Sequence, residues 1–235
     1  MKSPETEKIS NDLVAIGERF AGLRFEPVAK GNQDVRSVSW RCKAIANANL
    51  LRGEELLRFA ILAVNEHAII TAHVLTRALD ETLAAIVGSR VKIEAANAAR
   101  NEKRLATTLN KLTCGSQYMV NTRPDFPKPY GVGKLVAETA EFLDGLVDLP
   151  PEIAPGEFGR NYGFVSEFVH PSIGSFSVYQ KFEGAQIIFD RALGSRVDPI
   201  PQLLVTLRMS GHFILAEAQK LASILDLPTE WPTKA

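Results

Sequence analysis

The sequence of 235 residues has only two cysteines, Cys42 and Cys114. They lie far apart and lack the Cys-x-x-Cys spacing that zinc sites and redox motifs use. A disulfide or zinc framework is therefore not expected. We interpret both thiols as reduced structural residues, which is typical of a cytosolic protein.

A long apolar stretch is also missing. The N-terminal segment MKSPETEKISNDL is polar and acidic where a secretory signal would be apolar. Charged side chains interrupt the most apolar segments, namely Arg58, Glu66, Arg77 and Asp80. These features predict a cytoplasmic protein with no membrane partner.

Neither charge is in excess, since Lys plus Arg and Asp plus Glu each number 27. No overall field therefore favours nucleic acid, and RNA binding would need a local patch. Segment 90–134 offers such a patch, because it carries nine bases and three acids, whereas segment 138–157 carries acids and no bases. The opposite charges of the two segments predict that their helices attract each other within the chain or across a symmetric dimer. The alternative is an RNA-binding face on the basic segment.

Apolar residues recur at helical spacing along most of the chain, and hydrophobic residues make up 46% of it. We predict one mainly α domain over residues 1–235, a bundle of about five or six helices. An N-terminal brace (1–35) would precede the bundle core (36–225) and a short tail (226–235). Segment 54–87 contains no Gly or Pro and is predicted to be one central helix ending at Gly88, with Gly53 as a break before it.

A second type of pattern comes before the last helix. The segment SFSVYQKFEGAQIIFD is β-branched and aromatic, with Glu183 and Gly184 at its centre. This composition predicts a small β hairpin over about 175–189. A final helix is predicted to begin at Pro199 or Pro201.

Two sets of polar side chains stand at helical spacing where an apolar helix would not need them. One set is Tyr162, Ser166 and His170, and the other is Glu66, His73, Arg77 and Glu81. Buried polar groups are costly unless they satisfy one another, so the two sets are expected to meet. They would form either an interhelical network that fixes packing or a site in which Arg77 binds an anion and His170 transfers protons.

A metal site has little support in the sequence. Glu167 and His170 have the Glu-x-x-His spacing of helical di-iron proteins, but no second copy exists. We therefore predict no metal and no cofactor.

Two motifs carry a resemblance to a known family. The segments HVLTRALDETL (73–83) and YGFVSEFVHPS (162–172) resemble an uncharacterised bacterial family of helical proteins that is grouped with HEPN-like folds. The resemblance covers about residues 54–225 and rests on Arg-Ala-Leu-x-Glu and on Tyr-x3-Ser-x3-His-Pro-Ser. It implies an all-α bundle, frequently dimeric, from toxin–antitoxin or phage-defence neighbourhoods.

Catalytic HEPN members are metal-independent ribonucleases whose signature is an Arg, four to six residues and a His. This chain departs from that spacing, because Arg160 precedes His170 by too many residues and Arg208 precedes His212 by too few. The first hypothesis is a metal-independent ribonuclease, with Arg77 or Arg160 holding phosphate, His170 transferring protons, and Tyr162 and Ser166 orienting it. The second is a non-catalytic module that binds a cognate protein or a second copy, in which the same residues form a structural network.

Overall fold

A computed structural model describes residues 4–25, 38–114, 121, 123, 125, 127–146, 156–170, 180–184, 186–189 and 199–224. These residues contain seven helices and one hairpin: α1 (Pro4–Gly22), α2 (Val38–Asn65), α3 (Ile69–Ala98), α4 (Glu102–Cys114), α5 (Val132–Asp144), α6 (Glu157–Val169), β1 (Gln180–Glu183), β2 (Gln186–Phe189) and α7 (Pro199–Ala222). The mainly α class and the hairpin before the last helix are confirmed. The predicted number of helices, five or six, is too low.

Helix α3 lies at the centre of the bundle and packs against α2, α4, α5, α6 and α7. Because it has neighbours on most sides, apolar side chains are buried all round it, including Leu79, Leu83, Ile86 and Ile93. Helix α1 packs on α2 and α7. Along α1, apolar residues recur at helical spacing and are all buried, namely Ile9, Leu13, Ile16 and Phe20.

The prediction of one helix over 54–87 is wrong, because the chain turns at residues 66–68. His67 adopts a left-handed backbone with φ 55°, and the N–H of Ala68 donates to the carbonyl of Ala63 at 2.8 Å. This is the hydrogen-bond pattern of a Schellman helix end, which normally has glycine at the left-handed position. Arg100, with φ 48°, ends α3 in the same conformation.

The glycines that suggested helix ends lie inside helices instead. A Cβ added to Gly88 would stand 2.6 Å from Leu135 Cδ2, and one added to Gly53 would stand 3.0 Å from Phe20 Cε1. On α7, a Cβ at Gly211 would stand 2.8 Å from Ile16 Cγ2. These glycines allow neighbouring helices to approach closely, and this gain outweighs their poor helix propensity.

The hairpin is antiparallel, with Gln180 opposite Phe189 and Glu183 opposite Gln186. Gly184 lies in its turn with φ 59°, a conformation that glycine adopts without strain. Residues 175–179 and 185 of the predicted hairpin lie outside the described residues, as do residues 1–3 and 26–35 of the brace and the tail 226–235.

Candidate functional site

Four of the predicted site residues meet where α3 packs against α6. We call Arg77, Glu81, Tyr162 and His170 the Arg77 cluster. Arg77 Nη1 donates to His170 Nε2 at 3.2 Å, and Arg77 Nε donates to Glu81 Oε1 at 3.2 Å. The Tyr162 hydroxyl donates to the same Glu81 oxygen at 3.3 Å, and the guanidinium lies 5.4 Å from the centroid of the Tyr162 ring.

Helix geometry explains this meeting. Arg77 and Glu81 are one turn apart on α3, so their side chains share a face. Tyr162 lies in the middle of α6, and His170 is the residue that caps its C-terminal end, with extended backbone at φ −90° and ψ 150°. Since α6 packs along α3, the cap brings the imidazole to Arg77.

The Arg77 cluster is paired but not sealed. The side chains of Arg77 and Glu81 are 23% and 24% exposed, and His170 is exposed. Burial alone would lower the pKa of Arg77, but Tyr162 and Glu81 outweigh this and raise it above its ordinary value. Because arginine has no acceptor, the contact with Arg77 requires a lone pair on His170 Nε2, so a neutral His170 carries its hydrogen on Nδ1.

Ser166 and His73 do not join this cluster. The Ser166 hydroxyl donates to the backbone carbonyl of Tyr162 at 2.7 Å. His73 is fully buried, and its ring centroid lies 4.1 Å from that of Phe168. His73 Nδ1 lies 2.8 Å from the carbonyl of Ile69, while Nε2 has no hydrogen-bond partner among the described residues. Burial lowers the pKa of His73, and the bond to Ile69 opposes this only in part.

Glu66 and Arg160 lie elsewhere. Glu66 is exposed in the turn between α2 and α3, so it does not share a helix with Arg77. Arg160 is exposed in the first turn of α6, where its guanidinium lies beside Gly156. This position is roughly 15 Å along the helix axis from His170.

The alternative pair on α7, Arg208 and His212, does not form a comparable site. Arg208 Nη1 contacts Asp12 Oδ2 at 3.4 Å, and His212 is exposed. Burial, Arg19 and Arg208 lower the pKa of His212, while Asp12 opposes them. The arrangement is that of a surface ion pair beside a histidine.

Sequence reasoning missed a second arginine centre on α3. Arg90 Nε donates to Glu217 Oε2 at 2.6 Å, and Arg90 Nη1 donates to Glu94 Oε2 at 2.7 Å. The guanidinium lies 5.0 Å from the ring centroid of Phe142. We call Arg90, Glu94, Phe142 and Glu217 the Arg90 cluster. The spacing of Arg90 and Glu94 was visible in the sequence, but nothing there signalled the partner on α7.

Asp80 was also missed as a separate feature. It is fully buried and accepts a hydrogen bond from the Ser210 hydroxyl, while its Oδ2 has no partner among the described residues. Burial raises the pKa of Asp80 to about 8; Ser210 opposes this, and Glu81 adds to it. Asp80 therefore holds a proton at neutral pH.

Two features are absent from the described residues. No group of three or more His, Cys, Asp or Glu side chains there is placed to hold a metal ion. None of the described helices is long and apolar enough to cross a membrane.

Comparisons of the chain with protein-family models, with curated proteins and with solved structures find no match. The resemblance to HEPN-like proteins therefore rests on the two sequence motifs alone. The HEPN fold, the cytoplasmic location and the predicted RNA and protein partners stay predictions.

Proposed function

We propose that the Arg77 cluster is the active site of a metal-independent endoribonuclease, and that the chain is a HEPN-like protein of a bacterial defence or toxin module. The observation that carries the proposal is the 3.2 Å contact between a guanidinium and an imidazole at a partly exposed position. A fixed cation beside a base is what phosphodiester cleavage without metal requires.

The reaction begins with binding of a backbone phosphate to Arg77. A non-bridging oxygen takes the place of His170 Nε2 as acceptor for Arg77 Nη1, because an anion is the stronger acceptor. The Nε2 lone pair is then released next to the bound phosphate. His170 thus becomes a general base at the point where the substrate enters.

The chemical step is an attack by the neighbouring 2'-oxygen on phosphorus. His170 Nε2 accepts the 2'-hydroxyl proton, the bond from phosphorus to the 2'-oxygen forms, and the bond to the 5'-oxygen breaks. The imidazolium returns a proton to the departing 5'-oxygen. The products are a 2',3'-cyclic phosphate and a 5'-hydroxyl, and Arg77 stabilises the charge that develops on the phosphate oxygens.

Glu81 and Tyr162 are positioning residues in this scheme. Glu81 holds Arg77 Nε, the Tyr162 hydroxyl holds the same carboxylate oxygen, and the Tyr162 ring lies under the guanidinium. A held guanidinium needs little reorganisation when the phosphate binds. Ser166 takes no part here, because its hydroxyl already donates within α6.

One observation favours the second candidate, a non-catalytic helical module. Arg77, Glu81, Tyr162 and His170 already satisfy one another within a single chain. Such a set is able to fix the packing of α6 on α3 without any ligand. The two candidates differ in what removal of His170 does.

The test is cleavage of a mixed-sequence RNA pool in the presence of EDTA by the wild type and by His170→Ala, with both melting temperatures recorded. Loss of the base is expected to reduce cleavage by about 100-fold or more. The melting temperature should hardly change, because His170 is exposed. Product ends are identified as 2',3'-cyclic phosphates by their resistance to a phosphatase until acid opens the ring.

His212→Ala is the matched control, since it removes another exposed histidine. It should leave both cleavage and melting unchanged. A wild type that does not cleave RNA, or a His170→Ala variant as active as wild type, rules out the nuclease. If the wild type is inactive and His170→Ala melts much earlier, the cluster is structural.

A further inference from the structure

A cavity of about 550 Å³ opens between α3, α4 and α5. Its volume lies within the usual range for sites that bind small molecules. It is separate from the Arg77 cluster, because Val91 in its wall is roughly 20 Å along α3 from Arg77. No residue of that cluster lines it.

One wall of this cavity is apolar. Val87, Val91 and Ala95 contribute from α3, and Phe142 contributes from α5. Val91 is 37% exposed although it is apolar, so part of this wall faces solvent. Gly88 also lines the cavity, and α5 approaches α3 closely there, because a Cβ at Gly88 would stand 2.6 Å from Leu135 Cδ2. An apolar body of the size of one or two fused rings would cover this wall.

The mouth of the cavity is cationic. Lys92 and Lys134 share a single carboxylate, that of Glu138. Arg104 lines the cavity, and its guanidinium has no ion pair or hydrogen bond among the described residues. Glu141 is the second acid of the lining. With three cations and two acids in the lining, the balance favours an anion.

Tyr130 concentrates this charge further. The ammonium groups of Lys92 and Lys111 lie 5.0 and 5.5 Å from the centroid of its ring. Lys111 thus adds a fourth cation close to the lining.

We propose that this cavity binds a small amphipathic organic anion. Its apolar body lies against Val91 and Phe142, and its single carboxylate or phosphate group is held by Arg104 with help from Lys134. A guanidinium is suited to either group, because its parallel N–H donors match both in geometry.

The probe is 8-anilinonaphthalene-1-sulfonate, which combines an aromatic body with one anionic group and fluoresces when bound. We expect saturable binding of one probe per chain to the folded wild type. Displacement is then measured with 1-naphthoate, 1-naphthyl phosphate and uncharged 2-naphthol at neutral pH. Both anions should displace the probe at least tenfold more effectively than the naphthol, and the better of the two identifies the preferred group.

Two variants locate the site. Arg104→Gln should weaken binding of the probe and of the better anion about tenfold by removing a charge-assisted hydrogen bond. Val91→Trp should abolish binding by filling the cavity from a partly exposed position, with the melting temperature recorded to show that the fold is kept. Lys103→Gln is the matched control, because Lys103 is the exposed neighbour of Arg104 and does not line the cavity.

Three results would overturn the proposal. One is absence of saturable probe binding by the folded protein. Another is displacement by the naphthol as effective as that by the anions, since the cationic mouth would then do nothing. The third is binding by Arg104→Gln and Val91→Trp that equals binding by Lys103→Gln.

Discussion

Arg77 and Arg90 lie on the same helix and have closely similar surroundings. Each forms an ion pair with a glutamate one turn later, Glu81 or Glu94. Each guanidinium also lies near the ring of an aromatic residue on a neighbouring helix, 5.4 Å from Tyr162 and 5.0 Å from Phe142. The two clusters thus repeat one local pattern.

They differ in the third partner. Arg90 is paired with Glu217, whose side chain is 1% exposed, whereas Arg77 is paired with an exposed histidine. A buried carboxylate holds its arginine by charge and cannot be exchanged for a substrate without stranding that charge. The exposed imidazole of His170 has no such constraint. The same local pattern is therefore held by a buried charge at one place and by an exposed, exchangeable partner at the other.

The largest expected effect comes from breaking the Arg90 cluster. Arg90→Met should lower the free energy of unfolding by about 3–5 kcal/mol, because Glu217 is left buried with only Lys220 as a counter-charge. Urea denaturation measures this loss. Adding Glu217→Leu to Arg90→Met removes the stranded charge and should restore part of the lost free energy of unfolding. A single variant as stable as wild type would contradict a structural role for this cluster.

A smaller effect is expected at Asp80, a buried acid that lacks the cations of Glu217. The unfolded chain releases this proton near the ordinary pKa of 3.8, while the native protein keeps it until about pH 8. The unfolded state binds fewer protons in this range, so the contribution of Asp80 to the free energy of unfolding falls as pH rises from about 4 to about 8.

As the pH rises from 5 to 8, the free energy of unfolding of Asp80→Asn should therefore increase relative to that of wild type by roughly 2–4 kcal/mol. Urea denaturation of both proteins across this range gives the difference. Asp125→Asn, at an exposed loop position, is the control and should track wild type. A constant difference between Asp80→Asn and wild type would mean that Asp80 is ionised in the native protein.

The smallest effect on stability is expected at Arg77. Arg77→Gln should change the free energy of unfolding by less than about 1 kcal/mol, because its ion pair with Glu81 is partly exposed and screened by solvent. Its matched counterpart is Arg90→Gln, measured under the same conditions. Losses of equal size at the two arginines would erase the distinction between the clusters and favour the structural interpretation of both.

Sequence patterns were sufficient to predict features that depend on a single helix face. The stripe of α1 and the shared face of Arg77 and Glu81 follow from helical periodicity alone. The grouping of Tyr162 with His170 was predicted in the same way. Ser166 has the same spacing but donates to its own helix, as serine hydroxyls commonly do.

Other features depend on contacts between distant segments. Gly53 and Gly88 were predicted to interrupt helices, but their role is set by Phe20 and Leu135 on other helices. The true breaks fall at His67 and Arg100, whose left-handed backbones are uncommon for residues other than glycine. The pairing of Arg90 with Glu217 joins α3 to α7 and leaves no local trace in the sequence.

The close approach at Gly211 also bears on how the chain is made. Ile16 and Phe20 of α1 lie against Gly211 on α7, the last of the described helices. While the ribosome is still synthesising the middle of the chain, α1 has already emerged without this neighbour. The part of its apolar stripe that faces α7 is then open to chaperones and to self-association until α7 arrives.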